Sequence, residues 1–180
     1  MIIGKDVRLR AMERSDLPLF VRWFADPEVC EFLTAHSLYS LDLEETWFEN
    51  MRKGPIEEHP MMIEIKVGGG WQPIGDIGLI DINWVDRQAE VGVMIGEKPY
   101  WNKGYGTQAM SLLLQYAFDM VNLNRVFLRV YEPNLRGIRS YSKAGFIKEG
   151  CLRNAKYLNG NYVNMWIMGI LKSEWQQVKE

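Results

Sequence analysis

The stretch Trp101-Asn102-Lys103-Gly104-Tyr105-Gly106-Thr107 stands between an apolar, strand-like run and a strongly helical segment. Gly104 and Gly106 allow backbone conformations that residues with a Cβ avoid, so successive N–H groups can converge on one anion. The helix that follows adds the positive end of its dipole. The sequence therefore predicts a phosphate-binding loop, and a nucleotide-type cofactor is its expected ligand.

The residues around this loop predict a strand, a helix and a second strand. Ala89–Ile95 is an apolar run of strand length, and Val126-Phe127-Leu128 is the centre of another. Between them, residues 107–120 carry apolar side chains at helical spacing, which predicts one broad buried face. These apolar residues are Ala109, Leu112, Leu113, Tyr116, Ala117 and Met120. Because a crossover helix joins parallel strands, one parallel pair is expected here.

The rest of the chain predicts further elements on both sides of this unit. Ser15 is the expected cap of a first helix that begins near Leu17. A second helix, over about residues 42–53, carries Leu43, Trp47 and Met51 on one side and Glu44, Glu45 and Glu49 elsewhere. The other predicted elements are strands at 7–11, 61–67, 73–82, 146–152 and 162–170 and a helix at 134–143. This order predicts an α/β fold, a mixed sheet with helices on both faces.

Composition limits the classes to which this protein can belong. With 180 residues, 47% of them hydrophobic, the chain is expected to form one domain over residues 1–180. A net charge of −2 gives no reason to expect nucleic-acid binding. The two cysteines and the absence of a His or Cys cluster predict no metal site, and no apolar run predicts a membrane segment. The expected location is the cytoplasm.

The charge is unevenly distributed along the chain. Residues 1–60 carry seven Lys/Arg and twelve Asp/Glu, a balance of −5, whereas residues 61–180 balance at +3. The first third could therefore face a cationic substrate, although an acidic excess more often marks a solvated surface.

Together with this order of elements, the glycine loop, Asn134 and Ser140-Tyr141-Ser142-Lys143-Ala144-Gly145-Phe146 resemble the GNAT N-acetyltransferase superfamily. The superfamily's loop, Gln/Arg-x-x-Gly-x-Gly/Ala, aligns with residues 101–106, where Trp101 departs from the pattern. The branch that acetylates ribosomal-protein N-termini and polyamines is similar in carrying an aromatic residue shortly before its loop. The resemblance implies the GNAT fold, a mostly antiparallel sheet that splays at its one parallel strand pair.

The resemblance also implies acetyl-CoA as the co-substrate and a set of residues that bind it. Backbone N–H groups of the loop would hold the pyrophosphate, with the ammonium group of Lys103 nearby. The strand edge at Met94 and Ile95 would bind pantetheine, helped by Asn134. The implied cofactor-binding residues are Met94, Ile95, Trp101, Asn102, Lys103, Gly104, Tyr105, Gly106, Thr107, Asn134 and Lys143.

By the same resemblance, Tyr141 protonates the departing CoA thiolate and a glutamate on the strand before the loop acts as base. Glu90 lies in an otherwise apolar strand, where desolvation would raise a carboxylate's pKa toward a useful value. The amine attacks the thioester directly, and a backbone N–H near Met94 could stabilise the oxyanion. Glu90 is equally well interpreted as a solvated residue or an ion-pair partner, and water is the alternative base.

The acceptor and the assembly are left open by the sequence. A protein N-terminus would need an open groove, whereas a polyamine or another small amine would favour an acidic pocket. Glu28 and Glu31 are the expected acceptor-binding residues, and the other carboxylates available are Asp26, Glu44, Glu45 and Glu49. Apolar C-terminal residues such as Trp166, Ile167, Met168 and Trp175 could pack in the core or across a homodimer or higher oligomer.

Two other functions are compatible with parts of the sequence. A GNAT-like module could bind acyl-CoA without turnover. Gly104-Tyr105-Gly106-Thr107-Gln108-Ala109 also fits a dinucleotide fingerprint, with Glu132 near the end of the next strand. However, residues 96–103 separate the glycines from the preceding strand, which disfavours a nicotinamide cofactor.

Overall fold

The computed structural model describes residues 1–33 and 39–179. These residues form a mixed sheet and helices that pack on both of its faces. The strands are β1 (Ile2–Ile3), β2 (Val7–Ala11), β3 (Met61–Val67), β4 (Gly70–Asn83), β5 (Gln88–Ile95), β6 (Arg125–Tyr131), β7 (Ile147–Leu158) and β8 (Asn161–Leu171). The helices are α1 (Leu17–Phe24), α2 (Pro27–Cys30), α3 (Leu41–Met51), α4 (Tyr105–Gln115), α5 (Leu135–Lys143) and α6 (Lys172–Lys179).

The sheet has the order β1-β2-β3-β4-β5-β6-β8-β7 and is antiparallel except where β5 meets β6. This parallel pair is short, because only residues 88–90 of β5 register with residues 125–127 of β6. Beyond these positions the two strands separate. The predicted fold class and the predicted parallel pair are both confirmed.

Two hydrophobic clusters hold the helices to the sheet. The larger lies under α4 and includes Leu113, Phe118 and Trp175, all buried. Trp175 of α6 packs against Phe118 with ring centroids 5.4 Å apart, so this C-terminal aromatic belongs to the core. The smaller cluster lies on the opposite face, where Phe20 of α1 and Phe48 of α3 pack with Met94. The sheet therefore separates two unlike layers.

The N-terminus of α1 differs from the prediction that Ser15 caps it. Ser15 lies inside a 3₁₀ turn, Arg14–Asp16, that precedes the helix. Glu13 and Asp16 form a reciprocal capping box around this turn, and Arg10 holds the Asp16 carboxylate through two hydrogen bonds of 2.7 Å. Asp16 satisfies the local backbone donors, so a serine cap is not needed.

The orientation of α3 also differs from its amphipathic pattern. Leu43 and Trp47 are 52% and 42% exposed, whereas Glu44 is only 4% exposed and faces the sheet with Phe48. Phe48 fits the smaller cluster, and Glu44 lies one turn before it on the same side of the helix. A glutamate therefore occupies a buried position while two large apolar side chains face outward.

Met120 does not belong to the buried face predicted for the central helix. After α4, residues 116–120 form a π-helical turn, in which the Val121 N–H donates to the Tyr116 carbonyl at 3.0 Å. The wider turn rotates the last residues away from the sheet, and Met120 is 70% exposed. Within the described residues, no helix is long and apolar enough to cross a membrane.

Candidate functional site

A cavity of about 820 Å³ opens where β5 and β6 separate. It extends through the sheet, because residues from both faces of β5, including Glu90, Val91 and Met94, line it. On one side it reaches the loop before α4 and the start of α5, and on the other it reaches Val29 at α2. A ligand bound at the loop and a second ligand beside α2 could therefore meet at the separated strands.

Gly104 determines the geometry of the loop before α4. It is the N-cap residue of α4 and has a φ of +84°, a conformation that strains residues with a Cβ. The first N–H groups of any helix have no partner within it, and among the described residues no side chain caps α4. Such a terminus is an anion-binding site, and the loop lines the cavity.

Trp101 is fixed in place at the mouth of the cavity. Its indole N–H donates to the Ile95 carbonyl at 2.7 Å, and the Arg136 guanidinium carbon lies 3.5 Å from its ring centroid. The Ile95 carbonyl therefore already accepts a hydrogen bond, so the predicted pantetheine contact at Met94 and Ile95 has one free acceptor fewer. Sequence reasoning missed Arg136, although its position two residues after Asn134 on a helix that faces the loop was a usable signal.

Side chains of α4 and α5 meet beneath the loop. The Thr107 and Ser140 hydroxyls are 2.9 Å apart, and Asn134 caps α5 because its Oδ1 accepts from the Gly137 N–H at 2.9 Å. The remaining loop residues Asn102, Tyr105 and Gly106 line the cavity, as does Lys143. Lys103 does not line it, and its ammonium lies 5.5 Å from the centroid of Tyr100.

Tyr141 lines the same cavity from α5, beside Phe146. Burial raises the pKa of the Tyr141 phenol to about 12, and the positive charge of Arg136 acts in the opposite direction. The phenol is therefore protonated at neutral pH and is a hydrogen-bond donor. Burial also lowers the pKa of Arg136, opposed by the charges of Glu28 and Glu31.

Glu90 is the one carboxylate among the described residues that line the cavity, and it is paired. Its two oxygens accept hydrogen bonds of 2.9 and 2.7 Å from Arg129 on β6. This pairing raises the pKa of Arg129. The carboxylate thus occupies the ion-pair arrangement that the sequence left open, and the sequence analysis did not identify its partner.

The expected acceptor-binding residues, Glu28 and Glu31, lie near α2 and differ in whether another residue already binds them. Glu28 accepts a hydrogen bond of 3.1 Å from the ammonium group of Lys98, which also lies 2.6 Å from Asp26. Both contacts raise the pKa of Lys98, and its ammonium lowers the pKa of Asp26. Glu31 is exposed beyond the end of α2. A cationic acceptor at Glu28 would have to compete with Lys98.

The sequence did not predict that Asp76 and Glu44 form a pair of carboxylates on the same side of the sheet. Asp76 lies on β4 in register with Met62 of β3 and Met94 of β5, so all three side chains share the face that α3 covers. Burial raises the pKa of Asp76 to about 7, and the charge of Glu44 adds to this rise. Burial also raises the pKa of Glu44. An acid inside the apolar run of β4 was the available signal.

The known proteins that this chain resembles are acetyltransferases. Residues 6–147 match the family model of the acetyltransferase (GNAT) domain. The spermidine N(1)-acetyltransferase of Vibrio cholerae is 27% identical over 174 residues, covering 96% of this chain and 97% of the relative. The corresponding enzyme of Escherichia coli K12 is 28% identical over 179 residues, covering 94% and 88%.

The fold comparison agrees with the sequence comparison. A crystal structure of the Vibrio cholerae spermidine N-acetyltransferase in complex with CoA and spermine superposes with a TM-score of 0.85. That structure is 27% identical, and the match covers 96% of this chain and 99% of the other.

Proposed function

The chain belongs to the GNAT acetyltransferase family and is an acetyl-CoA-dependent N-acetyltransferase, and we propose that its acceptor is an aliphatic polyamine. The observation that carries this proposal is the cavity at the separated strands, which joins the anion-binding loop to the side of the sheet covered by the acidic first third of the chain. Two relatives named as spermidine N(1)-acetyltransferases match this chain over most of their length, which supports the same acceptor class.

Acetyl-CoA supplies an activated acetyl thioester, and this chain has groups suited to each part of it. We propose that the N–H groups of residues 104–107 hold the pyrophosphate, since the left-handed Gly104 leaves the start of α4 uncapped. Lys103 and Lys143 supply positive charge, and Trp101 with Asn102 and Tyr105 form the wall. The edge of β5 at Met94 and Ile95, together with Asn134, positions the pantetheine arm.

We propose that Tyr141 donates a hydrogen bond to the CoA sulfur and its proton to the departing thiolate. A phenol pKa of about 12 keeps this proton in place before reaction. It also makes full transfer to a thiolate unfavourable, since a thiol has a pKa of about 8.5. The guanidinium of Arg136 limits this difference, because its positive charge lowers the pKa of the phenol against the effect of burial.

We propose that Glu90 accepts the proton of the attacking amine, directly or through a water molecule. An alkylammonium has a pKa of about 10.4, so one proton must leave before the nitrogen can attack. Each oxygen of Glu90 already accepts a hydrogen bond from Arg129. The ion pair must therefore loosen or share an oxygen when the acceptor binds.

The acceptor class is tested by measuring CoA thiol release with spermidine, spermine, an aminoglycoside and a peptide with a free N-terminus. We expect kcat/KM to be highest for the polyamines. A higher kcat/KM for the peptide would contradict the proposal and favour a protein N-terminus as the acceptor. Tyr141→Phe should abolish most turnover. The matched control is Tyr157→Phe, which changes an exposed tyrosine of β7 and should leave turnover unchanged.

We further propose that residues 1–180 act as one domain, that the protein works in the cytoplasm and that it forms a homo-oligomer. One sheet contains all of the described strands, which supports the first statement. Both cysteines are free, which suits a reducing compartment. The exposed Leu43 and Trp47 of α3 offer an apolar surface for a second copy. Light scattering of the purified protein measures the assembly.

A further inference from the structure

Glu44 of α3 and Asp76 of β4 lie on the two sides of the interface between α3 and the sheet. Phe48, one turn after Glu44 on α3, packs with Met62 and Met94, the two cross-strand neighbours of Asp76. These apolar contacts place both carboxylates in the layer between α3 and the sheet, and they do not depend on the charge of either group. Glu44 is 4% exposed, and Asp76 is partly accessible.

Neither carboxylate has a partner on another described residue. No hydrogen bond or ion pair there joins Glu44 or Asp76 to another residue, although Asp76 accepts a hydrogen bond from its own backbone N–H. In contrast, Glu64, a buried acid of β3, binds both Arg8 and Arg10. The described residues also contain no fully enclosed polar atom without a partner. The oxygens of Glu44 are therefore not fully enclosed, and we call the space between Glu44 and Asp76 the recess.

An unpaired acidic pair in an apolar layer is costly unless a cation joins it. The surrounding cluster of Phe20, Trp23, Phe48, Met62 and Met94 suits methylene groups and provides aromatic rings for a cation. A metal ion fits less well, because the described residues bring no three His, Cys, Asp or Glu side chains together. An organic ammonium matches both the charge and the apolar walls.

The recess adjoins the cavity at the separated strands. Met94 lines that cavity and is the direct cross-strand neighbour of Asp76, which places their Cβ atoms about 5 Å apart. An arm of a few methylene groups spans this distance. Met94 lies between the two spaces, and its unbranched side chain can move aside more readily than a branched one.

We propose that Glu44 and Asp76 form a binding site for a second ammonium group of the acceptor, the one that does not react. This inference rests on the proposed polyamine acceptor and adds the residues that would select it. Of the other acids near the cavity, Glu90 is engaged by Arg129 and Glu28 by Lys98, whereas Glu31 is exposed to solvent. An amine with a single charge gains nothing from the pair, so the site would select acceptors with two or more ammonium groups.

The test is calorimetric titration of spermidine into the CoA-bound protein, as wild type, Glu44→Gln and Asp76→Asn. We expect each variant to weaken spermidine binding about 10- to 100-fold, as for loss of a hydrogen bond to a charged group. Asp42→Asn, an exposed carboxylate of the same helix, should change it less than about twofold. Equal spermidine affinity in wild type and both variants, or no binding to the wild type, would overturn the site.

A kinetic comparison separates this inference from the proposed function. For butylamine, which has one ammonium group, KM should be unchanged in Glu44→Gln and Asp76→Asn, while KM for spermidine rises. An equal rise for both amines would show a general structural defect and overturn the selective site. Acetyl-CoA that binds without any transfer to spermidine would instead contradict the proposed function, while the calorimetric result would still decide the site.

Discussion

The two faces of the sheet follow local sequence rules to different degrees. On the face that carries α4 and α5, the proposed cofactor face, the glycine loop and both helices lie where the sequence predicts them except at residues 116–120, and Asn134 caps α5. On the face that α1 and α3 cover, the proposed acceptor face, α3 turns Glu44 inward and Leu43 and Trp47 outward. The proposed phosphate site is built mainly from backbone, whereas the proposed amine site is built from side chains that break the amphipathic pattern.

The largest expected effect tests the chemistry at the boundary between the two faces. Tyr141→Phe removes the proton donor and should lower kcat about 100- to 1,000-fold, in the range of general acid catalysis. Binding of acetyl-CoA should change little, because the phenyl ring keeps its packing against Phe146. Pre-steady-state kinetics measures both quantities. A fall in cofactor affinity with kcat unchanged would make Tyr141 a binding residue only.

The second prediction concerns the free-energy cost of burying the Asp76 carboxylate on the proposed acceptor face. The pKa of Asp76 is raised above its unfolded value of 3.8 to about 7, so the folded protein binds this proton more tightly. The stabilisation is present at low pH and is lost as pH rises through 7. Asp76→Asn should remove this loss, about 2 kcal/mol or more between pH 4 and 8, and should leave other pH effects in place.

Urea unfolding of the wild type and Asp76→Asn at a series of pH values measures this difference. Asp42→Asn is the control, because its exposed carboxylate should leave the slope with pH as it is in the wild type. Identical slopes for wild type and Asp76→Asn would show that the Asp76 carboxylate is solvated and would contradict this prediction.

The third prediction tests whether the cofactor face depends on backbone geometry. Gly104→Ala places a Cβ on a residue with φ of +84°, which costs about 1–2 kcal/mol. Among the described residues, no atom other than those of its chain neighbours lies within 4 Å of that Cβ, so the cost is conformational and not a clash. Acetyl-CoA affinity should fall about tenfold. Gly160→Ala, with φ of +88° in the β7–β8 turn, carries similar strain and should leave acetyl-CoA affinity unchanged.

The smallest expected effect concerns Arg136. Arg136→Met keeps an apolar contact with Trp101 but removes the charge that opposes the rise in the Tyr141 pKa. We expect kcat to fall about tenfold in the wild type. The same substitution should have little effect in a Tyr141→Phe background, because its target is gone. Additive effects in this double-mutant cycle would assign Arg136 a role independent of Tyr141.

Sequence reasoning recovered the backbone-built part of the molecule and missed the side-chain pairs. The glycine loop depends on residues close in sequence, and the parallel strand pair follows from the helical segment that joins its two strands. The Glu90–Arg129 ion pair joins residues 39 positions apart, and the Glu44–Asp76 pair joins a helix to a distant strand. The π-helical turn that exposes Met120 has no sequence signal of its own. Such features follow from tertiary packing, which local periodicity does not contain.

In the proposed function, one face of the sheet binds acetyl-CoA and the other presents a polyamine to it. Mass spectrometry of spermidine incubated with acetyl-CoA and the wild-type protein tests this most directly, with Tyr141→Phe run in parallel. We predict monoacetylated spermidine from the wild type and at most traces from the variant. Release of CoA without an acetylated polyamine, or equal product from both proteins, would contradict the account.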